Sequence, residues 1–219
     1  MSEALVRIAA GDAMIEGELV LPAQPRGIVL FAHGSGSSRH SPRNRFVASR
    51  LHAAQLGTLL VDLLTADEDR DSRMRFDIDL LAQRLGDAAR WLAADSRTRA
   101  LPLGLFGAST GAAAALRLAA QAPDSVAAVV SRGGRPDLAG AEALRAVHAP
   151  VLLIVGGRDD VVIELNEAAF AQLECPARIE IVPGATHLFE EPGTLEQVAK
   201  LAADWFARKL SRGGGATSA

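Results

Sequence analysis

Short aliphatic runs alternate along this chain with longer segments in which apolar positions recur every three or four residues. The opening LVRIAAGDAMIEGELVLP carries two alternating runs on either side of Gly11-Asp12, the pattern of an antiparallel hairpin. Six richly aliphatic runs follow: Gly27 to Ala32, Thr58 to Leu63, Leu101 to Phe106, Val126 to Val130, Val151 to Val155 and Arg178 to Val182. Runs apolar on both faces belong inside a parallel sheet, because helices cover each side of it.

Segments of helical length and period lie between them: Asn44 to Gln55, Phe76 to Ala94, Thr110 to Gln121, Leu138 to Val147, Glu164 to Leu173 and Thr194 to Leu210. In the second of these, Ile78, Leu81, Leu85, Ala89 and Leu92 recur on one face. The alternation predicts an α/β fold, a mostly parallel sheet of about eight strands with helices on both faces. Between the Val126 and Val151 strands there is room for a loop and one helix, so no lid domain is expected and a site at the strand ends should be open. One domain over residues 1–210 and a disordered tail over 211–219 (SRGGGATSA) complete the expected organisation.

Composition narrows the function classes. Hydrophobic residues make up 49% and charged residues 22% of 219, the profile of a soluble globular protein with a sizeable core. A net charge of −3 and a pI near 6.0 leave no basic footprint for nucleic acid. No apolar run approaches the length that spans a bilayer, and the amino terminus lacks the basic start and apolar core of a signal peptide. The single cysteine, Cys175, has no internal disulfide partner. The expectation is a cytoplasmic protein; no oligomeric state can be read from the chain.

Chemistry gathers where strands end. The Leu101 run gives way to Gly107-Ala108-Ser109-Thr110-Gly111 and then at once to an alanine-rich helix. A tight turn would explain the glycines without employing the serine, and a five-residue G-x-S-x-G alone is a weak signal. Two other strand ends change the balance. Val151 to Val155 leads into Gly156-Gly157-Arg158-Asp159-Asp160, and the last strand leads into Pro183-Gly184-Ala185-Thr186-His187. A serine hydroxyl needs a base to become a nucleophile, and the imidazole needs a carboxylate to fix its tautomer. Ser109, Asp159 and His187 follow one another in the order used by α/β-hydrolases, separated by 50 and then 28 positions. The spacing Gly-x-x-Asp favours Asp159 over the adjacent Asp160, which would then cap the next helix, and Asp137 is a more remote substitute. A fourth strand end, His33-Gly34-Ser35-Gly36-Ser37-Ser38, can turn backbone N–H groups inward. The N–H groups of Ser35 and Thr110 are the natural oxyanion donors.

The remaining motifs are read more plainly. His33 is expected to hold its own loop in shape, and His40, His52 and His148 lack the spacing of a metal site. HGSGSS has no P-loop lysine, and no G-x-G-x-x-G is present, so neither cofactor nor metal is implied. Arg39 and Arg43 follow the glycine-rich loop, while Arg132 and Arg135 follow the Val126 strand. All four should open toward Ser109, where they would bind an anionic substrate or, alternatively, pair with Asp62 and Asp137. The acidic TADEDRDS (65–72) reads as a solvated, mobile segment flanking the entrance.

The motifs HGSGSS, GASTG, GGRDD and GATH, in this order and on this alternation, resemble the α/β-hydrolase superfamily. Within it the chain is similar to the small, lidless dienelactone-hydrolase-like group, over nearly its whole length. Bacterial members of that group sometimes occur fused to, or beside, a phosphoribosyltransferase domain. The resemblance implies the α/β-hydrolase fold, a Ser109–Asp159–His187 triad, and a small-molecule ester or lactone as substrate. One departure limits it. Archetypal dienelactone hydrolases use a cysteine nucleophile, whereas this elbow carries Ser109, and Cys175 lies far away in sequence. An acyltransferase or amidase on the same triad, and a non-catalytic binding module on the same fold, are the competing readings.

Overall fold

The computed structural model describes residues 1–211; the expected disordered tail falls, apart from Ser211, outside the described residues. Eight strands form one sheet: β1 (Ser2–Ala10), β2 (Ala13–Leu21), β3 (Gly27–Ala32), β4 (Leu56–Val61), β5 (Leu103–Ala108), β6 (Val126–Arg132), β7 (Val151–Gly156) and β8 (Ala177–Val182). Their order is β1-β2-β4-β3-β5-β6-β7-β8, antiparallel across β1–β2–β4 and parallel from β4 to β8. This is the mostly parallel, eight-stranded α/β sheet that the alternation predicts and the arrangement that the resemblance implies, and among the described residues no further domain is inserted over the strand ends.

Period-two alternation divides the core. Ile28, Leu30 and Ala32 of β3 join one apolar cluster with Leu105, Leu153 and the alanines 113–115. Val29 and Phe31 of the same strand join another with Phe106, Ile154 and Phe206. The first cluster is covered by α3 (Ile78–Ala94) and α4 (Thr110–Gln121), the second by α1 (Pro42–Ala53) and α7 (Thr194–Lys209). Phe31 and Phe106 meet on neighbouring strands with ring centroids 4.7 Å apart. Burying each such side chain contributes roughly 1.5–3 kcal/mol. The helices begin on sequence signals: Ser41 accepts the Asn44 N–H with Pro42 at the first turn of α1, and Asp77 accepts the Leu80 N–H at α3.

Several boundaries move, each for a local reason. β4 begins two residues earlier than its hydropathy suggests, because Leu56 and Gly57 already pair with Gly27 and Ile28. β5 begins two residues later: Pro102 has no N–H to give, and its carbonyl takes the Ile28 N–H at 3.0 Å. The segment predicted as one helix from Leu138 to Val147 splits into a 3-10 turn (Pro136–Ala139) and α5 (Ala141–Ala146), with Gly140 at φ 86° between them. A further helix, α6 (Asp160–Phe170), starts four residues ahead of expectation. The acidic stretch expected to be mobile is ordered instead into a 3-10 turn (Glu68–Arg70) leading to the short α2 (Ser72–Arg75). It is tied down because Glu68 accepts from the buried Arg84 at 2.8 Å, and Arg84 also donates to the Ala10 carbonyl.

Order along the sheet positions the site. From β3 the chain crosses to β4 on one side and later to β5 on the other, so the loops leaving β3 and β5 diverge and a crevice opens at their carboxyl ends.

Candidate active site

Ser109 stands in that crevice in a strained conformation, φ 50° and ψ −122°, a sign of φ that non-glycine residues avoid. Strain of this kind costs on the order of 1–3 kcal/mol and persists only where the surroundings enforce it. Here they do. The Ser109 N–H donates to the Arg132 carbonyl at 3.3 Å, and the Ser109 carbonyl accepts the N–H groups of Arg135 and Ala112, each at 3.1 Å. The flanking glycines leave no room for a larger residue: a Cβ on Gly107 would lie 2.4 Å from Ala112 Cα, and one on Gly111 would lie 2.2 Å from the Ala32 carbonyl oxygen. Gly34, in the facing loop, would bring a Cβ within 2.9 Å of Ser109 Cβ.

Asp159 and His187 meet from the ends of β7 and β8. His187 Nδ1 donates to Asp159 Oδ2 at 2.7 Å, which leaves Nε2 as the proton-accepting nitrogen. The carboxylate is largely buried, at 17% exposure, and the imidazole is 38% exposed. Main-chain bonds stitch the two loops together, Gly157 N–H to the Val182 carbonyl at 2.8 Å and Arg158 N–H to that of Ala185 at 2.9 Å. Gly156 makes this approach feasible, since its Cβ would fall 2.6 Å from both the Ala185 and Thr186 carbonyl oxygens. Asp160 does not cap the next helix as expected. It is the first residue inside α6 and exposed, while Asp159 occupies the cap position and spends its carboxylate on His187. Asp137, the more remote substitute, is held by Arg135 at 2.9 and 2.7 Å.

Two further residues, Glu191 and Phe189, shape the base loop, and no sequence pattern marks them. Glu191 accepts the Thr186 N–H and hydroxyl at 3.0 and 2.7 Å, bonds that hold its carboxyl below the usual range. Phe189 is buried at φ 56°, anchoring the loop two residues beyond His187. The Arg132 guanidinium lies 5.9 Å from its ring centroid. Next to Arg132, Gly133 would set a Cβ 3.7 Å from His187 Cε1, so the end of β6 touches both the serine and the histidine.

On the opposite side, the His33 ring bridges its own loop: Nδ1 donates to the Gly34 carbonyl at 2.9 Å and Nε2 accepts the Leu63 N–H at 3.1 Å. The Thr110 N–H, first in α4, has no partner within its own helix. The Ser35 N–H is engaged, donating to Thr110 Oγ1 at 2.9 Å. The four arginines separate into two kinds. Arg39 is taken by Asp62 and by Glu16, and Arg135 by Asp137, which is the pairing alternative the sequence allowed. Arg43 holds only the exposed Glu190, at 3.3 Å. Among the described residues Arg132 has no carboxylate partner; Asn44 Oδ1 accepts from it at 3.2 Å. Burial and then the neighbouring Arg43 guanidinium push Arg132 down to about 10. The Nε atoms of Arg39, Arg43 and Arg132 are buried without a partner among the described residues.

Among the described residues no group of three or more His, Cys, Asp or Glu side chains is placed to hold a metal ion. Nor is any helix long and apolar enough to cross a membrane. A recess of about 200 Å³ adjoins the glycine-rich loop between His33, Ser37, Asp62 and Thr65. A cavity of about 290 Å³, bordered by Ile28, Leu103 and Thr98, lies at the opposite ends of the strands, away from Ser109.

Residues 25–211 match the model of the alpha/beta hydrolase domain, and the chain belongs to the α/β-hydrolase family. Within the family it is dienelactone-hydrolase-like. It is 55% identical to a dienelactone hydrolase from Anabaena variabilis ATCC 29413, covering 95% of this chain and 98% of that one with a TM-score of 0.92. Est1E from Butyrivibrio proteoclasticus shares the fold at 14% identity, covering 95% of this chain and 99% of that one with a TM-score of 0.81. A Mycobacterium tuberculosis protein, provisionally named a phosphoribosyl transferase, is 60% identical over 205 residues, 94% of this chain. The chain spans about half of that relative, 46% of its length. The family model and the likeness to the Anabaena protein support a hydrolase.

Proposed function

We propose that the chain is a serine hydrolase that cleaves a carboxylic ester or lactone through an acyl-enzyme on Ser109. The Asp159–His187 bond of 2.7 Å, beside a strained serine elbow, is the observation that carries this reading. His187 Nε2 takes the Ser109 proton as Oγ bonds to the substrate carbonyl carbon. Asp159 keeps the Nδ1–H tautomer and stabilises the imidazolium. The developing oxyanion lies against the amino terminus of α4, where the Thr110 N–H has no partner within its own helix, opposite the Ser35 loop. As the tetrahedral intermediate collapses, the carbon–oxygen bond to the alcohol breaks and the alcohol leaves with the proton from His187. Water then repeats the sequence in reverse order and frees the acid.

The name of the Anabaena protein supports a lactone or ester as substrate. Of the four arginines, Arg43 meets only the exposed Glu190 and Arg132 meets no carboxylate among the described residues, so these two are the ones we assign to an anionic group on that substrate, whereas Arg39 and Arg135 are paired with Asp62, Glu16 and Asp137. We read the Mycobacterium relative's name as describing the half of that polypeptide that this chain does not match. A cytoplasmic setting belongs to the same reading, supported by the single thiol of Cys175, which burial pushes up in pKa and so keeps protonated. Turnover of a panel of p-nitrophenyl esters, lactones and anilides tests the reaction class. Ester or lactone hydrolysis that disappears in Ser109→Ala is expected; hydrolysis that survives in it would overturn the reading.

A further inference from the structure

The Ser35 amide is one of the two backbone donors expected to face the oxyanion, yet its single proton is already given to Thr110 Oγ1 at 2.9 Å. The residues are 75 positions apart, so this bond is made by the fold and not by a local turn. Thr110 itself is 2% exposed. Its hydroxyl oxygen accepts from Ser35, which leaves the hydroxyl proton to be given, and among the described residues no acceptor takes it. A buried donor without an acceptor carries a desolvation cost, and such groups mark places where a partner arrives. The Thr110 N–H, without a partner in its own helix, lies on the same residue at the positive end of α4.

We propose that the Thr110 hydroxyl is itself a catalytic donor to the oxyanion, with the Ser35 amide acting through it; this rests on the serine-hydrolase reading above. An O–H whose oxygen accepts a hydrogen bond is polarised and donates more strongly. The two donors of the hole are then the N–H and O–H of one residue, and Ser35 stands behind the hydroxyl. When Ser109 Oγ bonds to the carbonyl carbon, the π pair moves onto oxygen and both Thr110 donors close on it. When the carbonyl re-forms, the bond to the leaving alcohol breaks and the alcohol takes the proton held by His187. No proton leaves Thr110 in the cycle.

The test measures kcat and KM for p-nitrophenyl acetate and the rate of phosphonylation by a fluorophosphonate, in wild type, Thr110→Val, Thr110→Ala and Thr110→Ser. Valine copies the shape of threonine, and alanine serves should the valine variant fail to fold. Loss of the hydroxyl should lower both kcat and the labelling rate by about 10²-fold, the scale of one oxyanion donor, with KM changed far less. Thr110→Ser should recover most of the loss. A residue that merely braced the loop would lower the thermal midpoint without that kcat-only signature. A valine variant as fast as wild type overturns the inference, and a faster one shows that the hydroxyl only blocks the Ser35 amide. A wild type that neither labels nor turns over the ester overturns the serine-hydrolase reading together with it.

Discussion

Gly86 and Gly111 both lie within helices, yet alanine should act on them in opposite directions. At Gly86, inside α3, a Cβ meets only Arg90 Nη1 and Leu118 Cδ1, each at 3.5 Å, which is ordinary contact. Replacing it should recover the helix propensity that glycine forfeits, about 1 kcal/mol. At Gly111 the same methyl would lie 2.2 Å from the Ala32 carbonyl oxygen and 2.5 Å from that of His33. Carbon and oxygen normally rest no closer than about 3.3 Å, so α4 and the end of β3 must part by about 1 Å. Both sides of the contact are backbone, so no side-chain rotation relieves it. Overpacking of this kind costs about 1–3 kcal/mol, against which the propensity gain offsets about 1. In a chain of this size 1 kcal/mol moves the thermal midpoint by about 2–4 °C. Gly86→Ala should therefore raise the midpoint by a few degrees and leave ester turnover unchanged. Gly111→Ala should lower it by a similar or larger amount. Because the displaced carbonyls begin the loop facing Ser109, it should also cut kcat by about 10²-fold, the scale of a 1 Å misplacement. Differential scanning calorimetry with ester turnover measures both. A Gly111→Ala protein as stable and as active as wild type would refute the steric reasoning.

Three other outcomes follow from the geometry. Asp159→Asn should lower kcat by about 10⁴-fold, the loss seen when the triad aspartate of a serine protease is so changed, while Asp160→Asn should leave turnover within about twofold; the reverse would move the triad acid. Arg43→Gln should raise KM for esters bearing a carboxylate by roughly tenfold over neutral esters of equal size, a loss of about 1.4 kcal/mol at the lower edge of what a charge-assisted bond contributes; equal KM changes for both would remove Arg43 from substrate recognition. His52, bonded to Thr58 Oγ1 at 2.7 Å, has its pKa lowered by burial, with Glu18 and Glu3 opposing. The unfolded chain therefore binds the proton more readily, and the stability His52 contributes above its unfolded value of 6.5 is lost as pH falls through the lower native value. Thermal midpoints between pH 7 and pH 5 should fall less steeply in His52→Gln than in wild type, and parallel profiles would contradict this.

What could be read in the chain and what could not divides along physical lines. Strand runs such as GIVLFA declare themselves because a buried parallel strand is apolar on both faces, and Gly107 and Gly111 declare a tight elbow because only they fit it. Partners across the fold leave no such imprint. The sequence leaves Asp62 open as a partner for Arg39, but nothing near Arg39 indicates that Glu16 will share it, or that Arg132 will meet no carboxylate among the described residues. Asp160 looked like a cap because an aspartate before an apolar helix commonly is one, whereas the helix here begins a residue sooner than that pattern needs. Phe189 and Glu191 act through backbone conformation and side-chain bonds to the main chain, which hydropathy does not encode. The bond from Ser35 to Thr110 joins two motifs that were each legible, but their contact exists only once β3 and β5 are neighbours.

The central claim is that Ser109 is an activated nucleophile, and intact mass after fluorophosphonate treatment tests it most directly, on wild type and on Ser109→Ala. A single adduct on the wild type and none on the variant is expected. A folded wild type that takes up no adduct, or a variant that takes up the same one, would contradict it.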